Sequence, residues 1–541
     1  MLFWSSTGTS QMDEAILAID CGTSGIKSTL LVKNRSNDTI IPLPSIKTQI
    51  PTTAGASRLV REWEPENFLG HISDHIFEEV IRADKEQVQI VAIAPTTTTS
   101  SLLAIKNNRI CQLPKPMRWD DRQALEEAAL LEDFRKSAKT CEWMNPISAD
   151  SGIAKAVFLL RTHHKQLQDE NLFVLEQWSF LNWWLSRNII QSESIVSRKW
   201  GYSRMMPWNK TFTNLITKEL QQYLKVMTPK NLDILSWLKN KMLIGNITSA
   251  GDDIGTIYYR VSTAFGLPNN VRIFSVPYDA CAQVIGLGLL NRTNNIAVAL
   301  GTSLGVTATV KNSKRLKVTP AGPIPDTPIP GMQMLFDGFA SCGSAIEYVF
   351  EQHNILDLNG KPDLKFVDEA IGRIKPGANG FEMLPLINGG RRTLPDDPSE
   401  DGGKYSGFRI GIGNDEYVKG LFEAFGYLVR TIIEDFEKVS DVAFDTILAG
   451  GGPAKSKQFM QLLSNITNRN VSVNDFADSS LVGCGICAAA GLRWFDSVEE
   501  ASKKMQQSGM TFKPQQHVIE TYNELYAKYS QRFKKHLRWN I

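Results

Sequence analysis

Residues 15–32, AILAIDCGTSGIKSTLLV, and residues 295–310, NIAVALGTSLGVTATV, set the same Gly-Thr-Ser tripeptide between two apolar, β-branched runs. In each stretch a strand feeds a tight glycine turn and a second strand leaves it, which predicts a β-hairpin with a polar tip. One such hairpin in each half of the chain predicts two related domains that face each other. Glycine admits an anion close to the backbone, and exposed amides with the hydroxyls of Thr23, Ser24, Thr302 and Ser303 can donate to phosphate oxygens. The ligand these turns suit is a nucleotide held between the two halves. Ordinary turn chemistry is the alternative for either copy by itself, and the same tripeptide at Gly8–Ser10 has no strand before it. The strand context shared by the other two copies distinguishes them.

At 541 residues, with 42% hydrophobic and 21% charged residues, the chain has the composition of a globular protein large enough for two cores. A net charge of +2 and no long basic run give no support to nucleic-acid or polyanion binding. The start, MLFWSSTGTSQMDE, lacks the pattern of a secretory signal, and the apolar FLNWWL from Phe180 is far too short to span a bilayer. A cytoplasmic protein without a membrane partner is expected. Seven cysteines in no regular spacing argue for reduced thiols. Cys484 and Cys487 have CxxC spacing, but LVGCGICAAAGLRW reads first as a tightly packed small-residue helix.

Strand-like and helical stretches alternate through the first half: a strand at Val88–Ile93 and helices near Arg122–Arg135 and Ala154–His164 follow the hairpin. In the second half, DEYVKGLFEAFGYLVRTIIEDFEKV carries Val418, Phe422, Phe425, Val429, Ile432 and Phe436 on one helical face. The polar LLNRTNN near Leu289–Asn295 marks the junction, so two sections are expected, 13–290 and 291–541. In the tail, Tyr522, Tyr526, Tyr529 and Phe533 recur at helical spacing and predict an amphipathic helix, either docked on its own domain or facing a partner.

Several residues can carry chemistry. Asp20 ends the first strand directly before the glycine turn. There a carboxylate can meet Mg²⁺ on a nucleotide's phosphates or can cap the turn at Gly22 and Thr23. Lys27 adds charge near those phosphates. Asp279, in FSVPYDACAQVIGLGL, stands where a strand gives way to a helix, as an N-cap or as a carboxylate that orients a hydroxyl for phosphoryl transfer. In MRWDDRQALEEA, Trp119, Asp120, Asp121 and Arg122 open a helix; a ring with charged groups beside it suits a polyol. PTTTTSS from Pro95, which includes Thr97, can line the same pocket or simply occupy a strand edge. FDTILAGGGPAKSKQFMQLL brings a strand to Gly450, Gly451 and Gly452 and then to a helix, a junction at which a flat or anionic ligand can lie close to the backbone.

Taken in order, DCGTSGIK, RWDDR, PYDACAQVIGLG, LGTSLG and AGGGPAKSKQFMQLL resemble the FGGY carbohydrate kinases, over roughly Ala15–Arg493. The resemblance implies an α/β fold of two ribonuclease-H-like domains, of the actin-like ATPase superfamily, with ATP and sugar in the interdomain cleft. It assigns Asp20 to metal and phosphate, Gly22, Thr23, Ser24, Gly301, Thr302 and Ser303 to the phosphate turns, and Asp279 to the catalytic base. It sets Gly450–Gly452 beside adenine, with Lys455 and Ser456 adjacent. Three departures stand out. Val276-Pro277-Tyr278-Asp279-Ala280 lacks the glycines and the Gln or second Asp that members often carry around the base. Either Asp120 or Asp121 can be the sugar ligand, Asp121 keeping the family's Trp-x-Asp spacing. The family's Gly-Glu-Arg-x-Pro segment occurs as Gly389-Gly390-Arg391-Arg392, without the Glu.

The stretches VAIAPTTTTSSLLAI, SADSGIAKAVFLL and KWGYS resemble the ribulokinase-like and xylulokinase branches. The expectation is therefore an ATP- and Mg²⁺-dependent kinase for the terminal hydroxyl of a ketopentose, with Trp119, Asp121, Arg122, Thr97 and Asp279 around the sugar. Kinases for glycerol, erythritol or gluconate, and a non-catalytic nucleotide switch, are the rivals. A homodimer is compatible with the sequence.

Overall fold

The structure, a computed structural model, describes residues 12–537 apart from 24, 35–38, 51–58, 138–145, 203–217, 219, 221, 225–233, 312–315, 317–323, 326–327, 330, 340, 388–401, 474–477 and 506–508. Two compact units emerge. The first comprises Met1–Gly286, Asp326–Pro330 and Ser480–Met505; the second comprises Leu287–Pro325, Gly331–Ser479 and Gln506–Ile541. Division into 13–290 and 291–541 does not include the return of Ser480–Met505 to the first unit, which no local sequence pattern announces.

The sheet of the first unit runs Asp253–Thr256, Arg272–Phe274, Val88–Thr97, Asp13–Cys21, Gly25–Asn34, Thr39–Pro42, with Ile46–Gln49 also paired to Gly25–Asn34. Asp13–Cys21 and Gly25–Asn34 form the expected antiparallel hairpin, while Val88–Thr97 lies parallel to Asp13–Cys21 on its other side. The second unit repeats this plan. Its sheet runs Ile324–Pro325, Met332–Phe339, Leu304–Lys311, Asn295–Leu300, Thr446–Gly451, Asn470–Val473, Met510–Phe512. Again the first two strands in sequence, Asn295–Leu300 and Leu304–Lys311, are an antiparallel hairpin, and the first pairs in parallel with Thr446–Gly451. In both units the strands of the core motif therefore stand in the order third, second, first, fourth, fifth. That is the ribonuclease-H-like order.

The sequence explains the central position of the first strand of each set. Ala15–Cys21 and Ile296–Leu300 are almost entirely apolar and buried except for Ala299, as expected of a strand covered on both faces. In the second unit the helix Asn414–Ser440 supplies much of the core, with Val418, Phe422, Phe425, Val429, Ile432 and Phe436 all at 0% exposure. Each such side chain contributes about 1.5–3 kcal/mol of transfer free energy. The tail forms the helix Gln516–Leu537 and docks on its own unit: Tyr522, Tyr526, Tyr529 and Phe533 are buried in that core. The tyrosine hydroxyls are satisfied there, Tyr522 donating to Glu423 at 3.2 Å, Tyr526 to Glu434 at 2.9 Å and Tyr529 to the Met383 carbonyl at 3.1 Å.

The CxxC segment is the helix Ser479–Gly491, with both cysteines fully buried. Its small residues allow close packing: a Cβ at Gly483 would lie 1.8 Å from the Ala282 carbonyl oxygen, and Cys484 Sγ meets the Ile19 carbonyl at 3.9 Å. Burial pushes both thiols up, which disfavours thiolate chemistry. Among the described residues no helix is long and apolar enough to cross a membrane.

Candidate functional site

In the first unit, the ends of adjacent strands collect the acidic residues. Asp20 is opposite Lys27 across the hairpin and opposite Thr96 across the parallel pair. Thr96 in turn donates through its hydroxyl to the Pro277 carbonyl at 2.6 Å, which draws the turn before Asp279 against the same sheet end. Cys21, fully buried, registers both carboxylates. Its thiol is pushed up first by burial and then by Asp20 and by Asp279. Asp20 is itself buried, accepting from Ser480 Oγ at 2.5 Å. Ser480 belongs to the segment that returns from far along the chain, so sequence proximity could not have paired the two.

Asp279 is the first residue of the helix Asp279–Gly286 and is part-exposed. The three residues before it are buried and held by side chains from three different elements. Trp178 Nε1 donates to Val276 O at 2.8 Å, Thr96 to Pro277 O, and the Tyr278 amide donates to Ser194 Oγ at 3.1 Å. The Ala280 amide donates to Asp279 Oδ1 at 2.8 Å and so orients the carboxylate. An immobile backbone under a part-exposed acid is what a positioned proton acceptor requires.

Trp119 is part-exposed and its indole Nε1 donates to Thr23 Oγ1 at 2.9 Å, linking its own loop to the first glycine turn. That turn is closed by the Gly22 amide donating to Gly25 O at 3.0 Å. The two acids after Trp119 differ sharply. Asp121 has no exposure, and its oxygens accept from the Arg61 amide at 2.6 Å, the Gln123 amide at 3.0 Å and Gln123 Nε2 at 3.0 Å. It therefore braces the loop from within. Asp120 is 27% exposed and holds Arg118 in a two-pronged pair at 2.6 and 2.7 Å. Of the two, only Asp120 is open to solvent. Arg122 is exposed, its amide donating to Leu59 O. Thr97 is buried, with its hydroxyl turned back onto the Thr98 carbonyl at 2.7 Å. Ser24 and the Gly389–Arg392 segment lie outside the described residues.

Beneath Trp119 is a buried charge cluster that the sequence reading missed. Lys155, on the helix Gly152–Leu167, has no exposure and donates to the carbonyls of Ser100 at 2.8 Å, Arg118 at 2.6 Å and Trp119 at 2.9 Å. Burial draws this ammonium down to about 8 against the opposing pull of Asp150, Asp121 and Glu176, with Lys199 acting in the same direction as burial. Glu176, whose Oε1 accepts from Trp200 Nε1 at 2.8 Å, is raised by burial to about 7. The signal available in the sequence was a single Lys in the apolar helix SGIAKAVFLL, a position at which an unpaired charge is not tolerated.

In the second unit Gly301 and Thr302 are exposed at the hairpin tip. The start of the helix Gly343–Gln352 braces them: the Cys342 amide donates to Thr302 O at 3.0 Å and the Gly343 amide to Gly301 O at 2.8 Å. Ser303 closes the bend by accepting from the Gly301 amide at 3.2 Å. Gly450 and Gly451 end the parallel strand and Gly452 follows it, and Gly451 has φ +112°. Lys455 is exposed close by. Ser456 is not offered to a ligand: it is buried, donates to Asp368 Oδ1 at 2.5 Å and accepts from the Phe459 amide at 3.1 Å as the N-cap of the helix Lys457–Thr467.

Comparison with known proteins agrees with this topology. Among curated proteins, the chain is 25% identical over 320 residues to a ribulokinase of Halalkalibacterium halodurans, covering 57% of this chain and 55% of that protein. It is 22% identical over 545 residues to a ribulokinase of Anoxybacillus flavithermus, covering 95% and 93%, and 20% identical over 523 residues to a xylulose kinase of Lactococcus lactis, covering 96% of each. Solved structures with the same fold include a ligand-bound xylulose kinase of Lactobacillus acidophilus (TM-score 0.77, 16% identity, 96% of this chain and 98% of that one). A gluconate kinase of the same species (0.78, 16%, 97% and 98%) and the glycerol kinase of Plasmodium falciparum with ADP (0.77, 14%, 96% and 98%) also share it. Family models described as the N-terminal and C-terminal domains of the FGGY family of carbohydrate kinases match residues 15–286 and 296–492. The chain therefore belongs to the FGGY family of carbohydrate kinases.

Proposed function

We propose that this carbohydrate kinase transfers the γ-phosphoryl group of ATP to the terminal hydroxyl of a ketopentose, ribulose or xylulose, with Asp279 as the proton acceptor. The observation that carries the reading is Asp279 itself: part-exposed, at a helix start, on a turn fixed by Thr96, Trp178 and Ser194. In the reaction the sugar oxygen bonds to the γ-phosphorus as the bond to the β–γ bridging oxygen breaks. ADP leaves with that electron pair, and the hydroxyl proton passes to Asp279. The barrier is lowered mainly by alignment and by charge stabilisation. Gly22 and Thr23, and Gly301, Thr302 and Ser303, are the candidate amide and hydroxyl donors to phosphate oxygens. Gly450–Gly452 and Lys455 are the candidates for the rest of the nucleotide. Trp119 and Asp120 flank the sugar, with Arg122 at the edge.

Magnesium fits this chain in one way. Among the described residues no three His, Cys, Asp or Glu side chains gather as a metal cage. An ion held by Asp20, phosphate oxygens and water needs none, because Mg²⁺ retains water and takes one or two carboxylates beside phosphate. Bound there, it would neutralise phosphate charge as the β–γ bond breaks.

The pentulose assignment draws support from the ribulokinase and xylulose kinase relatives. The gluconate and glycerol kinase structures share the fold and keep other acceptors in the test. ADP release is measured with D- and L-ribulose, D-xylulose, glycerol, erythritol and gluconate, with and without chelator. Greatest stimulation by a pentulose, lost on chelation and restored by Mg²⁺, is expected. A preference for gluconate or a triol would overturn the pentulose assignment, and no sugar stimulation at all would favour the nucleotide switch. Asp279→Asn should abolish sugar phosphorylation while nucleotide binding persists; a variant with ordinary turnover refutes the role of Asp279.

A further inference from the structure

We infer that Lys155 is a positioning residue for the sugar acceptor, acting through the backbone of the loop that carries Trp119. This rests on the reading of Trp119 and Asp120 as sugar-facing groups.

An ammonium has three N–H donors, and Lys155 spends all three on backbone carbonyls of two separate segments: Ser100 on one side, Arg118 and Trp119 on the other. The neutral amine could donate only two, so the three-point clamp selects the charged form. Asp150, on the loop before the Lys155 helix, Asp121 beside Trp119, and Glu176 at the end of the strand Leu172–Glu176 surround the charge. Lys199, from the helix Glu193–Trp200, is held by Asp150 at 2.5 Å. The same two segments are joined by further bonds: Trp119 N to Ser101 Oγ at 3.1 Å, and Met117 and Leu102 exchanging backbone bonds at 2.8 and 2.7 Å. Lys155 therefore closes the end of a short ladder from which Trp119 projects. Trp119 passes the constraint onward through its indole bond to Thr23 in the glycine turn. The acceptor surface and the first phosphate turn thus share one rigid connection, and its root is a side chain no ligand touches.

The test uses the full chain with Lys155→Met, one atom shorter and without any N–H donor, and Lys155→Gln, equally short but with two donors. In unliganded protein, hydrogen exchange at the Met117, Arg118, Trp119 and Asp121 amides should accelerate at least tenfold in the Met variant and less in the Gln variant. Amides of Ile16–Ile19 should be unchanged. With the best acceptor of the panel, the sugar KM should rise at least tenfold while the ATP KM stays within twofold. Equal rises in both constants, or unchanged loop exchange, overturn the proposal. So does failure of both variants to fold, which would make Lys155 a purely structural residue. Should wild-type protein phosphorylate no sugar in the panel, the proposed reaction fails on its own account, and the exchange measurement decides the clamp by itself.

Discussion

Three consecutive glycines, Gly450, Gly451 and Gly452, are indistinguishable in the sequence, yet the structure predicts that alanine will be tolerated at two of them and not at the third. Gly451 has φ +112°, a region closed to residues with a Cβ, and an added Cβ would lie 2.0 Å from the Leu300 carbonyl oxygen. That oxygen belongs to the strand partner itself, since Leu300 and Gly451 are opposite each other at the end of the parallel pair. The backbone conformation alone costs about 1–3 kcal/mol. Relieving the clash must separate the strand ends and forfeit a ladder hydrogen bond, worth about 0.5–1.5 kcal/mol. Gly451→Ala should therefore lose about 2–4 kcal/mol. At Gly450 the nearest atoms to a Cβ are Leu287 Cδ2 and Ser479 Oγ, both at 3.8 Å, and at Gly452 nothing lies within 4 Å. Those two variants should unfold within about 0.5 kcal/mol of the parent. Urea unfolding of the three variants in parallel reads the difference directly, because all share one chain and one background. If Gly450→Ala or Gly452→Ala instead raises the ATP KM at unchanged stability, ligand approach is the constraint there. The reasoning fails if Gly451→Ala unfolds at the same urea concentration as the other two.

Three further outcomes follow from individual carboxylates. Asp121→Ala should cost about 1–3 kcal/mol by leaving the part-buried Arg61 and Gln123 amides without the buried acceptor they share. Asp120→Ala, at a part-exposed ion pair, should cost under about 1 kcal/mol and be read in the sugar KM; the reverse pattern would return the sugar contact to Asp121. Glu423, which accepts from the Gly377 amide at 2.9 Å and from Tyr522 at 3.2 Å, is raised by burial to about 7, with Lys419 opposing. A carboxyl raised in the fold binds its proton more tightly there than in the unfolded chain. Its contribution is therefore complete below about pH 4.5 and lost as pH rises through about 7. Glu423→Gln should accordingly gain stability relative to the parent between pH 5 and pH 8 in thermal unfolding, and a constant difference across that range would contradict the assignment.

The sequence by itself determined the two hairpins, because apolar runs on either side of a glycine turn are a local pattern. It also determined the apolar face of the helix Asn414–Ser440 and the docking face of the tail, whose spacing repeats with the helical period. The order of its five motifs was enough to suggest the family. Local pattern could not decide between Asp120 and Asp121, since the two are adjacent and chemically identical; only the positions of Arg61 and Gln123 in space bury one and leave the other part-exposed. Nor could it reveal that Thr97 turns its hydroxyl inward, that Ser456 is taken up as a cap, or that Gly451 alone of the three glycines has a positive φ. Ser480 reaching Asp20 from 460 residues away, and Lys155 clamping carbonyls at Ser100, Arg118 and Trp119, are contacts between remote segments. Residue type and periodicity report which surfaces leave water. Which buried donor meets which acceptor is settled only when the packed chain must satisfy every polar group it has enclosed.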